Sequence, residues 1–352
     1  MKFWLVVFVL IFAVSPSIAV EEVVLKTDEQ PVAKTTYLFE EALTKHFDNS
    51  IIESVHLFGY YRAGVDVDIF DDDTDTGYSF SSLNAGVNGK FKDGNTMYEA
   101  RFRFNPQHDY SFFQYLPSNI YVANTAIPHH TVILGNTRPP TGYEGGMSYT
   151  EMPFFSKAQI SRNFGNVRKV GLRVKGNYDY IDYDLGGYSS DTYFRKFFPG
   201  AEFVGRVAVK PLGKNKKYGD LKLGGTFTSG HNDIDYLVTS AYAVYEYKKF
   251  FANFEYAKAD GYNGAKRLTS DKAEGFYTTV GYKVHPKVQV LARYDQYNPK
   301  LSRSDDLRRE YSAGINYFIK GQALKLILNY VFCQNDLLKD SHRIILGTQV
   351  LL

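Results

Sequence analysis

Apolar and polar residues alternate along almost the whole chain after about residue 50. In "REYSAGINYFI" (Arg309–Ile319), for example, Tyr, Ala and Ile share one face while Glu, Ser and Asn share the other. Successive side chains of a β-strand point to opposite faces, so this period of two predicts strands with one apolar and one polar face. Roughly 14 to 16 such stretches follow one another, separated by clusters of Gly, Asn, Asp and Pro that predict turns. The sequence therefore predicts an all-β fold.

Two architectures fit this pattern, a soluble sandwich and an outer-membrane barrel. The apolar faces end in Tyr and Phe, which suit the boundary between lipid and water. The polar faces carry charged side chains at strand centres, as in "YEARFRF" (Tyr98–Phe104), and a water-filled lumen accepts them. An unpaired backbone group in lipid costs several kcal/mol, so the sheet must close. We therefore predict a transmembrane antiparallel β-barrel in the bacterial outer membrane.

The stretch "GLRVKGNYDYIDYDL" (Gly171–Leu185) changes the phase of its alternation in the middle. Gly-Asn is a turn sequence, which predicts a hairpin of two strands at 167–175 and 180–188. The side chains predicted to face lipid are Leu172, Val174, Ile181 and Tyr183. Those predicted to face the lumen are Arg173, Lys175, Asp182 and Asp184.

The first 50 residues differ from the rest. Residues 1–19 combine Lys2, an apolar stretch and a small-residue site ending at Ala19, and predict a cleaved signal peptide. Residues 20–50 are polar and acidic and predict a periplasmic tail or a short helix, with an amphipathic helical pattern at Thr36–Phe47. This segment could also plug the pore. The barrel is then predicted to comprise residues 51–352.

Composition narrows the possible functions. The mean hydropathy of −0.31 gives no sign of helical membrane spans. The single cysteine, Cys333, excludes an intrachain disulfide. A formal net charge of +3 indicates neither a nucleic-acid partner nor a general attraction for anions, so selectivity would depend on where charges lie.

Two blocks of the sequence resemble the phosphate-selective porin O/P family. The first comprises "TVILGNTRPPTGYEGG" (Thr131–Gly146) and "RKVGLRVKGNYDYIDYDLGGY" (Arg168–Tyr188). The second comprises "VLARYDQYNP" (Val290–Pro299) and "REYSAGINYFIKGQALKLILNYVF" (Arg309–Phe332). The resemblance implies a barrel of 16 strands with an inward-folded constriction loop, usually a homotrimer in outer-membrane lipid. It also implies passage of small anions such as phosphate past Arg138 and Arg168.

A long loop rich in aromatic and basic residues, Thr141–Gly165, is predicted to narrow the lumen. Guanidinium groups bind phosphate through paired hydrogen bonds and ammonium groups act as point charges. The predicted anion-binding residues at the constriction are Arg138, Lys157, Arg162, Arg168, Arg173 and Lys175. Arg206 and Lys210 are predicted to extend a basic track along the lumen. The alternative is that these cations pair with lumenal carboxylates and only complete the wall.

Other functions have weaker support in the sequence. "DIFDDDTDTG" places Asp71, Asp73 and Asp75 at alternate positions, but it lacks the glycine and glutamate of an EF-hand loop. We find no metal spacing and no cofactor or catalytic motif. We therefore expect a passive channel rather than an enzyme, with no cofactor. The alternatives are a non-selective porin, a surface adhesin or structural barrel with a blocked lumen, and a lipid hydrolase using Ser54 with His56 or Ser229 with His231.

Overall fold

The computed structural model describes residues 37–71, 73–104, 117–165, 167–191, 196, 198–213, 216–262, 268–303, 306–337 and 339–352. The predicted signal peptide and the first part of the predicted tail lie outside these ranges and stay predictions. Within the described residues, no helix is long and apolar enough to cross a bilayer.

Seventeen strands form one antiparallel sheet. They are β1 (Thr44–His46), β2 (Ile52–Ile69), β3 (Thr74–Phe91), β4 (Thr96–Phe104), β5 (Pro117–Asn124), β6 (His130–Thr137), β7 (Lys169–Asn177), β8 (Ile181–Ser189), β9 (Ala201–Val209), β10 (Asp220–Asn232), β11 (Ile234–Tyr247), β12 (Phe250–Tyr262), β13 (Leu268–His285), β14 (Val288–Asn298), β15 (Arg308–Lys320), β16 (Leu324–Asn335) and β17 (Ser341–Leu351). One short α-helix, α1 (Gln159–Phe164), and two 3₁₀ turns, Tyr149–Glu151 and Lys216–Tyr218, complete the described elements.

Strands β2 to β17 close a barrel. Each pairs with the next, and β17 pairs with β2, for example Thr348 opposite Ala63. The prediction of a 16-stranded barrel is confirmed. Among the described strands β2 to β17, closure gives every strand a neighbour on both sides, which is what a sheet in lipid requires.

The alternation of the sequence becomes the inside and outside of the barrel. On β16, Leu326, Leu328 and Tyr330 are exposed on the outer face, whereas Lys325 and Asn329 are buried on the inner face. Aromatic side chains of successive strands meet on the outer face with ring centroids 5.1–6.1 Å apart, in the pairs Phe254–Phe276, Phe276–Tyr294, Tyr294–Tyr311 and Tyr311–Phe332. Such a row matches the aromatic girdle of a membrane barrel.

The two ends of the barrel differ in their connections. At the end that carries Leu352, all but one of the turns between strands are short, the exception being residues 210–219. At the other end, residues 138–168 form a long connection between β6 and β7. Outer-membrane barrels have short periplasmic turns and longer extracellular loops, so the end with Leu352 is the periplasmic end.

The predicted hairpin is present as β7 and β8, with its turn at 178–180. The turn lies later than the sequence predicted, because β7 continues through Gly176 and Asn177, which pair with Tyr183 and Asp182. The faces are as predicted. Leu172 is exposed on the outer face, and Arg173 and Asp184 are buried on the inner one.

The helix predicted at Thr36–Phe47 is wrong over the described residues. Residues 38–43 form turns, and Thr44–His46 form β1, which pairs with Ser54–His56 of β2. Tyr37 and Leu38 pack against Tyr60, Ala323 and Leu351 at the periplasmic end of the lumen. Pairing with β2 and burial of these side chains outweigh the local helical pattern.

Candidate functional site: a loop folded into the lumen

Residues 138–168, here called the constriction loop, fold into the barrel. Their apolar side chains are buried there, which explains why so polar a lumen contains a hydrophobic core. They are Met152, Phe154, Phe155, Ala158, Ile160 and Phe164, each at most 3% exposed. Phe155 packs against Ile327 and Ile345 of the wall, and Ile160 and Phe164 lie in a cluster that includes Tyr277 and Tyr297. The inward fold of the loop is therefore as predicted.

Cations of the wall hold the backbone of the loop. Arg62 on β2 is fully buried and donates hydrogen bonds to the carbonyl oxygens of Tyr149 and Phe154. Lys325 on β16 donates to the carbonyl oxygen of Met152 over 3.1 Å. These buried cations are satisfied by carbonyl oxygens of the loop, so they serve to position it.

Carboxylates and amides of the wall accept hydrogen bonds from the same loop. The acceptors are Glu255 for the N–H of Tyr143 (2.8 Å), Asn329 for that of Phe155 (2.7 Å) and Asp295 for that of Gln159 (2.7 Å). Arg293 on β14 forms a buried ion pair with Glu144 of the loop at 2.8 Å. These anchors lie on β12, β14 and β16, so the loop is fixed along one side of the lumen.

Two of the predicted anion-binding residues belong to this anchoring. Lys157 is 1% exposed and donates to the carbonyl oxygens of Glu144, Gly145 and Met147. Burial, followed by the charge of Arg138, lowers the pKa of Lys157. Arg162 on α1 pairs with Glu310 at 2.5 Å. In this structure both side chains are engaged within the protein.

Arg138 and Arg168 lie at the two ends of the constriction loop. Arg138 donates to the carbonyl oxygen of Met147, and its guanidinium lies 5.6 Å from the ring centre of Tyr149. Arg168 donates to the side-chain oxygen of Asn119 over 2.8 Å. Burial, followed by the charge of Arg138, lowers the pKa of Arg168. Among the described residues, neither has a carboxylate in an ion pair.

The wall opposite the anchors carries a second basic group. Arg173 on β7 forms two hydrogen bonds with Asp184 on β8, of 2.7 and 2.5 Å, and Arg206 on β9 approaches the same carboxylate at 3.2 Å. Lys175 lies opposite Asp184 in the strand register. In the described part of the chain, its ammonium has neither a hydrogen bond nor an ion pair. Arg173, Lys175 and Arg206 thus surround one carboxylate and leave an excess of positive charge.

The predicted basic track continues toward the periplasm. Lys210 pairs with Asp182 at 2.7 Å and also donates to Asn177, and Lys222 lies 3.7 Å from the same aspartate. The structure therefore brings Arg206 and Lys210 to one side of the lumen, each beside a carboxylate.

Sequence reasoning missed several residues of the site. Arg62, Glu144 and Arg293 anchor the loop, and Lys169 pairs with Glu202 in a buried contact that Tyr236 completes over 2.6 Å. Alternation places Arg62 and Arg293 on the inner face of their strands. Their partners lie on a loop whose path no local pattern predicts.

Neither of the two serine–histidine pairs forms a hydrogen bond between its serine and its histidine among the described residues. Ser54 and His56 are buried on the inner face, where His56 meets Thr44 at 3.0 Å. His231 is oriented by Asp235 at 2.8 Å, but no hydrogen bond joins it to Ser229 in the described structure. Among the described residues there is also no group of three potential metal ligands.

The closed barrel with its inward loop is the fold of outer-membrane channels. The family model of the phosphate-selective porins O and P matches residues 213–344, which confirms the resemblance over the second of the two blocks that suggested it. Comparison with curated proteins gives no significant match.

Solved structures share the fold at low sequence identity. The outer membrane channel DcaP of Acinetobacter baumannii superposes with a TM-score of 0.62 at 10% identity, covering 88% of this chain and 99% of that one. An anion-selective porin from Comamonas acidovorans gives 0.61 at 12%, covering 85% and 99%. OmpT of Vibrio cholerae gives 0.58 at 13%, covering 87% and 99%. Fold and family match together place the chain among the porin-type barrels of the bacterial outer membrane.

Proposed function

We propose that this barrel is a passive channel for small hydrophilic solutes that prefers anions such as phosphate. The observation that supports it is the excess of cations on the side of the lumen away from the loop anchors. Arg138, Arg168, Lys175 and the group around Asp184 lie there, and Lys175 has no partner among the described residues. Catalysis and an energy source are no part of the proposal.

The preference for anions follows from how these charges are held. Arg138 and Arg168 bind neutral acceptors, so their charge is not cancelled by a carboxylate of the described chain. Near a protein surface, an anion gains about 4 kcal/mol from one unit charge at 4 Å. Guanidinium and ammonium groups together can replace part of the hydration of a phosphate.

A non-selective porin is the second candidate. Glu151 on the constriction loop is exposed, and Asp182 and Asp184 occupy the inner wall. These carboxylates reduce the excess of positive charge, so a weaker selectivity is the outcome that would favour this candidate. Ion selectivity separates the two.

We also propose that the protein is a homotrimer that contacts its copies through the short strands. Strands β4 to β9 have eight or nine residues, whereas β10 to β17 have 11 to 18. A tilted strand of nine residues spans about 21 Å of an apolar band of about 25 Å. On this short side, Leu134 and Leu172 are register partners and 64% and 51% exposed. A protein neighbour would cover these side chains where the barrel is too low for lipid.

The experiment that tests the function is the zero-current potential of the purified protein in a planar bilayer under a potassium chloride gradient, repeated with added phosphate. An anion-selective potential, with phosphate blocking the chloride current, is expected. A cation-selective or neutral potential without block would leave the non-selective porin, and the absence of any conductance would indicate a blocked lumen.

Single substitutions locate the selectivity. Lys175→Gln and Arg168→Gln each remove a charge that forms no ion pair among the described residues, so both are expected to shift the potential toward neutrality and weaken the phosphate block. Lys92→Gln, which changes an exposed lysine in the turn between β3 and β4, is the control and should change neither. Equal behaviour of all three variants would contradict the placement of the site.

A further inference from the structure

We infer that exposed lysines on one half of the periplasmic rim bind the headgroups of anionic phospholipids. These residues, here called the lysine collar, are Lys248, Lys249, Lys287 and Lys320. They lie in or beside the three turns that join β11 to β12, β13 to β14 and β15 to β16. All four are exposed.

The collar is continuous along the rim. The backbone N–H of Lys283 donates to the carbonyl oxygen of Lys249 over 2.9 Å. The N–H of Phe318 donates to the carbonyl oxygen of Lys287 over 2.8 Å, two residues before Lys320. Neighbouring turns are thus hydrogen-bonded side by side, so the lysines that they carry follow one arc of the rim.

The charge of the collar is not balanced within the described chain. None of its four ammonium groups forms an ion pair with a described carboxylate. The carboxylates of the same sector, Asp220 and Glu246, are paired in register and share the inner face with buried Tyr242 and Val244. The arc therefore presents net positive charge to whatever lies outside the barrel.

An aromatic row at the same end indicates that a lipid surface lies outside. Tyr247 is the register partner of Phe250, and Phe250 that of Tyr282. Tyr282 and Tyr317 are 47% and 43% exposed on the outer face. The ammonium of Lys248 lies 4.9 Å from the ring centre of Tyr247. Aromatic rings occupy the interface of a bilayer, and lysines beside them extend toward the phosphates.

The other half of the rim carries nearly balanced charge. Its acidic residues are Glu40, Glu41, Asp48, Glu53, Asp93 and Asp179, and its lysines include Lys45, Lys90 and Lys92 together with Lys216 and Lys217 of the turn between β9 and β10. A lipid with an anionic headgroup should therefore prefer the collar half. The collar strands are also the long ones, tall enough for lipid contact, which favours a lipid over a soluble polyanion as the partner.

The test places a tryptophan reporter on each half of the barrel, since the only natural tryptophan, Trp4, lies in the predicted signal peptide. The first reporter, Tyr282→Trp, lies on the outer face of β13 beside the collar. The second, Leu57→Trp, lies on the outer face of β2, where the Leu57 side chain is 54% exposed. Protein in vesicles is titrated with brominated phosphatidylglycerol or brominated phosphatidylcholine, and quenching gives the relative association of the two lipids. We expect phosphatidylglycerol to be favoured at Tyr282→Trp and to have no advantage at Leu57→Trp.

Substitution of the collar supplies the decisive comparison. Changing its four lysines to Gln should lower the preference at Tyr282→Trp by about fivefold or more, whereas Lys45→Gln, Lys90→Gln and Lys92→Gln together should leave it unchanged. Channel conductance confirms that each variant is folded. If the four-lysine variant does not fold, raising the salt concentration should abolish the preference of the unsubstituted reporter protein. Equal lipid preference at both reporters, or a preference that survives the loss of the collar or high salt, would overturn the inference.

Discussion

Asp184 illustrates how one side chain can serve both stability and selectivity. It is 2% exposed and accepts hydrogen bonds from Arg173 and Arg206. Burial removes the hydration of the Asp184 carboxylate, and the charges of Arg173 and Arg206 compensate that loss. The carboxylate compensates the lost hydration of the two guanidinium groups in the same way. Its presence also lowers the positive charge that a passing anion meets.

Replacing Asp184 by Asn should therefore have two separable effects. The zero-current potential should become more anion-selective, since Arg173 and Arg206 lose their carboxylate. Stability should fall by about 3 kcal/mol, the cost of removing one partner from a buried ion pair, seen as unfolding at lower temperature in detergent. Asp182→Asn is the control, because Asp182 is more exposed than Asp184 and should cost less stability. A potential that moves toward cations would contradict the role given to Asp184.

At the scale of elements, the constriction loop depends on the wall more than on itself. Its only helix, α1, has six residues, and its first N–H is capped by Asp295 of β14. Most of its other anchors are likewise side chains of the strands. Within the loop, Lys157 joins three carbonyl groups that would otherwise lie apart. The loop is held as an interior part of the barrel rather than as a surface connection.

Lys157→Ala tests this dependence. It leaves the carbonyl groups of Glu144 and Gly145 without the ammonium donor, at about 1–3 kcal/mol for a buried unsatisfied group, whereas the carbonyl group of Met147 keeps Arg138. We expect a noisier open channel with a larger conductance, because the loop is less firmly fixed. Arg162→Gln, which alters a more exposed pair on the same loop, should change the conductance less. Unchanged noise and conductance in Lys157→Ala would show that the wall anchors suffice.

At the scale of the whole molecule, strand length divides the barrel into two sectors. The short strands β4 to β9 carry the row of outward apolar side chains that we assign to subunit contact. The long strands carry the aromatic girdle and the lysine collar. A strand needs about 9 to 11 residues to cross the membrane. The strands β4 to β9, with eight or nine residues, are at or below this length, whereas β10 to β17 reach or exceed it.

A matched pair of substitutions tests the assignment of the trimer contact. Leu134→Asn on β6 should reduce the proportion of trimer in unheated gels and in native mass spectrometry, because it places an amide in a covered apolar contact. Leu346→Asn on β17, at a similar exposure of 55%, should leave the trimer intact. A protein that is monomeric before either change, or a trimer sensitive only to Leu346→Asn, would refute the proposed contact.

Much of this molecule was determined by the sequence alone. The period of two predicted the strands, their inner and outer faces, the closed barrel and the β7–β8 hairpin, because these depend on residues adjacent in sequence and on the requirement to pair every backbone group in lipid. The family resemblance added the number of strands and the inward loop.

Only the tertiary structure decided which cations are engaged. Lys157 and Lys175 look alike in sequence, yet the first is enclosed by carbonyl groups of the loop and the second has no partner in the described chain. The same holds for Thr44–His46, which becomes a strand because β2 lies beside it. These outcomes depend on contacts between residues far apart in the chain, and alternation carries no information about the path of a loop across a lumen.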